Sequence, residues 1–248
     1  MEKEGILILL KFGEYKYMKE LQQGKIYCKN LKHYSDLEKR TGDRAMGDKN
    51  EGVNIETEGI MYLCNPETGE IIKRYEQLRV ETEYCDMKKM PVYCMAAISR
   101  EELQEIDHDK KQLLFMPREF FSKMNSEEYW EAALMIEDKA QFFNRIKTAC
   151  DIVGIECRHK YVNYTKMEKN YINREKDIMK DIDNIPFWKD EYYKNQHEYR
   201  FVFTNIRVDD NFVLDIGDIS DISTLFDKEE LKKFFDNNYK VNYTIEEL

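Results

Sequence analysis

Apolar runs and alternating stretches mark the elements of this chain, separated by polar and charged segments that bring its charged residues to 35%. Residues 5–12 are apolar up to Lys11-Phe12-Gly13 and predict a buried first strand. Residues 14–23 put Tyr17, Met18 and Leu21 on one side of a short amphipathic helix stopped by Gly24, and Lys25 to Cys28 predicts a second strand. Residues 40–52 carry three glycines among mixed charges, hold neither helical nor strand period, and read as a long functional loop. Residues 59–64 and 70–80 alternate across Asn65-Pro66-Glu67-Thr68-Gly69 and predict an antiparallel hairpin. Met90 to Ile98 reads as a fully buried strand, with shorter ones at 112–116 and 132–136. A helix capped by Asp138 runs to about Val153 and ends at Gly154. A strand at 157–163, a charged helix over 166–183 and a strand at 212–216 follow, and Asp227 with Glu230 opens a C-terminal helix as a capping box. The fold expectation is one α+β domain over residues 1–248, with a mixed, mainly antiparallel sheet, flanking helices and a cleft between the first strand and the strand at 196–203.

The densest chemistry lies at 186–204, where Gln196-His197-Glu198-Tyr199-Arg200 runs into Phe201-Val202-Phe203-Thr204. On an extended backbone Gln196, Glu198 and Arg200 share one face, and His197, Tyr199 and Phe201 the other. Two readings stand side by side. Glu198 is a catalytic carboxylate kept ionised by Arg200, with Gln196 orienting a substrate. Alternatively the row is a solvent-facing stripe with a surface ion pair worth about 0–1 kcal/mol.

The 248 residues are 42% hydrophobic and 13% aromatic, enough for a real core, and only 10 Gly and 4 Pro argue against a disordered chain. A net charge of −10 argues against broad duplex binding, although a local basic patch is compatible with a nucleic-acid substrate. The apolar run Gly5 to Leu10 is too short for a leader or a membrane span, and the six cysteines (28, 64, 85, 94, 150, 157) form no CxxC pair. These features predict a reduced, cytoplasmic protein with no membrane attachment and leave its oligomeric state open. The histidines at 33, 108, 159 and 197 lack ligand spacing, so no metal is expected, and neither a GxSxG turn nor a Walker loop is present. The Asp177, Asp181, Asp183 group reads as a solvated helix face. Asp190, Glu191, Glu198 and Arg200 could be cast as a metal-dependent nuclease site, but the usual Asp…Glu-x-Lys pattern is missing and Arg cannot act as the base.

Leu10-Lys11-Phe12-Gly13, Leu21-Gln22-Gln23-Gly24 with Lys25-Ile26-Tyr27, and Gln196-His197-Glu198 together resemble the core of the ADP-ribosyltransferases, and in particular the DarT-like branch. The resemblance covers about a third of the chain, with Lys11 and Phe12 standing where transferases carry His or Arg. It implies NAD as cofactor and Glu198 as the carboxylate that stabilises positive charge on the ribose as the nicotinamide bond breaks, with no metal needed. It further implies that Gln196 orients the acceptor and that Lys11, Phe12, Tyr34, Arg40 and Arg44 hold the cofactor. The chain also resembles a bacterial and phage family sharing a Gly-Asp…Glu-Gly loop, Pro-Val-x-Cys-Met (Pro91 to Met95), Tyr-x-x-Gln-x-Glu-Tyr-Arg (Tyr193 to Arg200) and Gly-Asp-Ile-Ser-Asp-Ile (Gly217 to Ile222). That resemblance covers most of the chain and implies no particular activity. The functional expectation is an NAD-using transferase or hydrolase of a bacterial or phage conflict system acting on a macromolecule. The alternatives are a non-enzymatic acidic protein that recognises a protein partner, and the nuclease.

Overall fold

The computed structural model describes residues 6–44, 47–84, 86–107, 112–122 and 130–242. The first half contains β1 (Ile6–Gly13), α1 (Tyr15–Gln22), β2 (Lys25–Asn30), α2 (Leu31–Thr41), β3 (Val53–Cys64), β4 (Ile71–Glu83) and β5 (Pro91–Ser99). Then come β6 (Gln104–Asp107), β7 (Gln112–Phe115), α3 (Pro117–Phe121), β8 (Ala132–Ile136) and α4 (Lys139–Val153). β9 (Cys157–Tyr161), β10 (Asn163–Thr165), α5 (Ile172–Lys180), β11 (Trp188–Asp190) and β12 (Glu198–Phe203) follow, and β13 (Asn211–Asp215), β14 (Ser223–Phe226), α6 (Lys228–Asp236) and β15 (Tyr239–Asn242) close the described chain. Helices pack against mainly antiparallel sheets, the α+β class that the alternation predicts.

β5 is the hub of an eight-stranded sheet. β12 pairs with it antiparallel from Glu198↔Ala96 to Val202↔Val92 and takes up one edge. On the other edge β1 covers Ala96 to Ser99 and β2 covers only Pro91 and Val92. Since β12 spans both stretches, β1 and β2 must share that second edge, and they part between residues 92 and 96. The sheet is therefore split beside the middle of β5. There the Lys11 ammonium donates to the Cys94 carbonyl at 2.7 Å, supplying a partner that no strand provides.

Alternation along the strands sorts two layers. Leu9, Tyr93, Met95, Tyr199 and Phe201 pack on one face against Phe142, Ile146 and Cys150 of α4. On the opposite face Leu10, Ile98 and Phe121 form one apolar cluster, and Val92, Val202, Leu31 and Phe187 another. α4 begins and ends where local chemistry dictates: the Asp138 carboxylate accepts from the Gln141 amide at 2.9 Å, and Gly154 takes the left-handed φ of 69°.

Several expectations need correction. The first strand and the Glu198 strand do not flank a cleft directly, because β5 lies between them. α2 extends through Thr41 and only then gives way to loop at Gly42, so Arg40 is helical. Its N-cap Asn30 accepts from the His33 amide at 2.9 Å, and a Lys32–Asp36 pair at i,i+4 supports a helix with little apolar period. The region 166–183 is α-helical only over Ile172–Lys180, and a 3-10 helix follows at Ile182–Phe187, opened by the Asp181 cap. The strand at 157–163 is two strands, β9 and β10, that pair with different neighbours.

Candidate functional site

β12 is buried along its whole length, which overturns the solvent-facing stripe. Glu198 is 9% exposed and Arg200 2%. The Glu198 carboxylate accepts from Lys189 Nζ at 2.5 Å on Oε1 and from Arg200 Nε at 2.6 Å on Oε2. Arg200 grips Glu51 with both terminal nitrogens at 2.6 and 2.9 Å and donates to the Pro186 carbonyl at 2.5 Å. Glu51 comes from the loop after α2, and its carbonyl accepts from the buried Lys88 at 2.6 Å. Lys189 also donates to Gln196 Oε1 at 2.9 Å, so one ammonium ties the two predicted site residues together. The Glu198 amide donates to the Tyr164 hydroxyl at 2.9 Å, fixing the start of the strand.

The electrostatics follow from burial opposed by partners. Burial raises the Glu198 carboxyl, but Arg200 and then Lys189 outweigh it and draw the pKa down to about 2. Burial lowers the Lys189 ammonium, but Glu198, Glu51 and Asp48 together outweigh burial and Arg200, and the net shift is upward. Asp48, 3% exposed and on the same loop as Glu51, has no cation bonded to it among the described residues. Burial first and Glu51 second raise its carboxyl to about 6. Burial lowers the Lys11 ammonium, with Cys94 and Glu198 acting in the other direction. A carboxylate fixed in its ionised form therefore sits in one buried cluster with another poised near neutrality.

The predicted site residues divide. Glu198, Gln196 and Arg200 meet, although Gln196 ends a 3-10 helix (Glu191–Gln196) rather than entering the strand. Tyr34 is half-buried beside this cluster, in the field of Arg200 and Glu198. Lys11 faces the split and feels Glu198, with its ammonium on the Cys94 carbonyl. Arg44 lies at the rim, its guanidinium 3.8 Å from the Tyr192 ring and its Nε 3.7 Å from Glu38. Phe12 is elsewhere, stacked at 4.1 Å on Trp130 in an aromatic cluster with Phe121. Arg40 is exposed at the end of α2. An ionised carboxylate, an amide, a phenol and a rim guanidinium remain at the cluster, while Phe12 and Arg40 do not contribute.

The nuclease candidates do not converge. Asp190 accepts from the amides of Tyr192 and Met167 at 3.0 and 3.2 Å, and Glu191 pairs with Lys166 at 3.4 Å. Among the described residues no three His, Cys, Asp or Glu side chains are grouped as for a metal. Asp177 and Asp181 are not a bare solvated face, since they pair with Lys160 and Arg158 of β9 at 3.4 and 2.5 Å. His108 and Cys85 lie outside the described residues.

Lys189, Glu51 and Asp48 were not foreseen as site residues. Lys189 is a lone cation after Phe187-Trp188, and nothing local marks it as buried. Glu51 and Asp48 belong to the Gly-Asp…Glu-Gly loop, whose motif was visible but whose distance from Arg200, 149 positions away, was not. No helix among the described residues is long and apolar enough to cross a membrane. Compared with known proteins, the chain matches no family model, no curated protein and no solved structure.

Proposed function

We propose that the chain is an NAD-consuming enzyme of the ADP-ribosyltransferase type, with Glu198 as its charge-stabilising carboxylate and a macromolecular hydroxyl, amine or water as acceptor. One observation carries this reading: Glu198 is held ionised, with a pKa of about 2, inside a buried chain of alternating charges running Lys189, Glu198, Arg200, Glu51. Burying ions costs several kcal/mol each, and well-packed apolar residues serve folding at least as well, so such a network argues for chemistry. Both Glu198 oxygens are engaged by cations, which suits a role by charge and excludes proton donation by this group. As positive charge develops on the ribose and the electron pair of the C–N bond leaves with nicotinamide, a fixed carboxylate stabilises it without reorganising. In this reading Gln196, held by the same lysine, orients the acceptor.

The test is nicotinamide release with chelator present, comparing wild type with Glu198→Gln. We expect turnover to fall about a hundredfold or more while NAD binding is retained. Absence of NAD binding at millimolar concentration would remove the reading.

A second reading, recognition of a protein partner, is favoured by the arm formed by β3 and β4. Its outer half exposes Ile60, Met61, Tyr62, Leu63, Ile71 and Ile72, each 49–63% accessible. Contiguous apolar exposure of this kind marks interaction surfaces. The two readings are compatible in one molecule, and loss of a captured partner in arm variants with NAD turnover intact would separate them.

A further inference from the structure

We propose that His197 is the general base that takes the proton from the acceptor nucleophile, with Glu102 as the positioning residue that orients its ring. The proposal rests on the reading of Glu198 given above. Its physical basis is the backbone. Among the described residues His197 is the single non-glycine residue with positive φ, at 47°. Such a conformation costs free energy, is held by its surroundings, and is concentrated at functional sites. Here the Ala97 amide donates to the His197 carbonyl at 2.9 Å while the His197 amide donates to the Lys194 carbonyl at 3.2 Å.

The left-handed residue changes which face the ring occupies. Regular alternation would put His197 with Tyr199, in the layer against α4. Instead its ring lies 4.2 Å from that of Phe120, which packs in the cluster of Leu10 and Ile98. Leu10, Ala96 and Glu198 form one row across the sheet, so imidazole and carboxylate share a face. His197 Nδ1 is 3.3 Å from Glu102 Oε1. Glu102 is itself fixed, since its other oxygen accepts from the Ser99 amide at 2.7 Å and from the Ser99 hydroxyl. Nε2 has no partner among the described residues, and 17% of the side chain is accessible. A base with one ring nitrogen fixed by a carboxylate and the other free is the arrangement that proton abstraction requires.

The step balances. The acceptor O–H or N–H loses its proton to Nε2 as its heteroatom bonds to the ribose carbon. The C–N bond to nicotinamide breaks with its electron pair leaving on nicotinamide. The ring, held by Glu102 through Nδ1, then passes the proton to solvent.

The informative variant is His197→Gly, because glycine adopts φ of 47° without strain and so keeps the backbone turn while removing the ring. We expect nicotinamide release to fall about a hundredfold and to recover at least about tenfold with added imidazole, which should not restore Glu198→Gln. Unchanged turnover, or a loss that imidazole leaves untouched, overturns the proposal. Should wild type fail to cleave NAD, the Glu198 reading falls and the histidine is judged separately by diethyl pyrocarbonate labelling. The expectation is then that His197 is acylated several-fold faster than the other three histidines and that Glu102→Gln slows it. Equal rates at all four would sink His197 as a primed base.

Discussion

Two carboxyls of the same cluster are pushed in opposite directions, and their effects on stability separate by pH. Burial and the neighbouring Glu51 raise Asp48 from 3.8 to about 6, with Lys189 and Arg200 pulling only partly the other way. Lys88 and Tyr193 also face it. Its protonated form favours the fold, so its contribution is complete below pH 3.8 and is lost as pH rises through about 6. Glu198 has the opposite sign. Burial opposes it, Arg200 and Lys189 prevail, and its contribution is present above pH 4.5 and lost as pH falls toward about 2. The cluster should therefore be most stabilising between these two losses, near pH 4–5. Asp48→Asn keeps the acceptor used by the Asn50 amide at 3.0 Å and removes the charge. Its urea stability should match wild type at pH 4 and exceed it at pH 7.5 by on the order of 3 kcal/mol, taking ~1.4 kcal/mol per pKa unit. A difference that does not change with pH would count against this account. The residues nearest in sequence were the legible ones: Glu198 and Arg200 are two positions apart, and their pairing was readable. That they are buried depends on Glu51 and Lys189 arriving from other elements, and no local pattern encodes that.

Backbones meet closely where α1 turns into β2. Gly24 has φ of 93°, and a Cβ built there would lie 2.1 Å from the Gly217 carbonyl oxygen. The Ile216 amide donates to the Gly24 carbonyl at 2.9 Å, and the Ile219 amide to that of Gln22 at 2.8 Å. The Leu-Gln-Gln-Gly turn and the Gly-Asp-Ile-Ser-Asp-Ile segment, separate motifs in the sequence, are thus one backbone-to-backbone joint. Gly24→Ala must both strain φ and displace backbone, and should cost several kcal/mol, against about 1 kcal/mol for Gly154→Ala, where no atom lies within 4 Å. Equal unfolding midpoints for the two variants would remove the joint as an explanation. Elements bounded by their own chemistry were legible: α4 between Asp138 and Gly154, and α6 with its Asp227–Glu230 box, lie where the sequence put them. Those decided by tertiary partners were not. Met167 looks like part of a helical stripe but packs with Val53 and Ile55 at the base of the arm. Arg174, 1% exposed, reaches across to the Ile55 carbonyl at 2.8 Å, which ties α5 to the same place.

On the scale of the whole molecule, that anchored base gives the β3–β4 arm its meaning. The Thr57 amide donates to Asn170 at 2.8 Å, and the Thr57 hydroxyl to the Glu168 carbonyl at 2.6 Å, so the arm is clamped up to residue 57. Beyond it the two strands pair, among the described residues, only with each other, and a two-stranded ribbon with apolar side chains on its surface is marginal in water by itself. Such a ribbon leaves strand edges open and gains from being covered. The chain's net charge of −10 suggested a partner attracted by acid, but the arm presents apolar side chains beside charges that pair among themselves, Arg74 with Glu76 and Arg79 with Glu81. The two modes respond differently to salt, since contacts between exposed charges weaken over a Debye length of about 8 Å at physiological ionic strength and apolar burial does not. Replacing Ile60, Leu63 and Ile72 with Ser should shift folding stability by less than about 0.5 kcal/mol each, because 49–63% of each residue is already in water. The same triple variant should lose most binding of a hydrophobic dye and any partner whose capture persists at 1 M salt, which lies far above the range of surface electrostatics. Capture that survives the triple variant but disappears in salt would return the interaction to the acidic surface and leave the arm without a role in it.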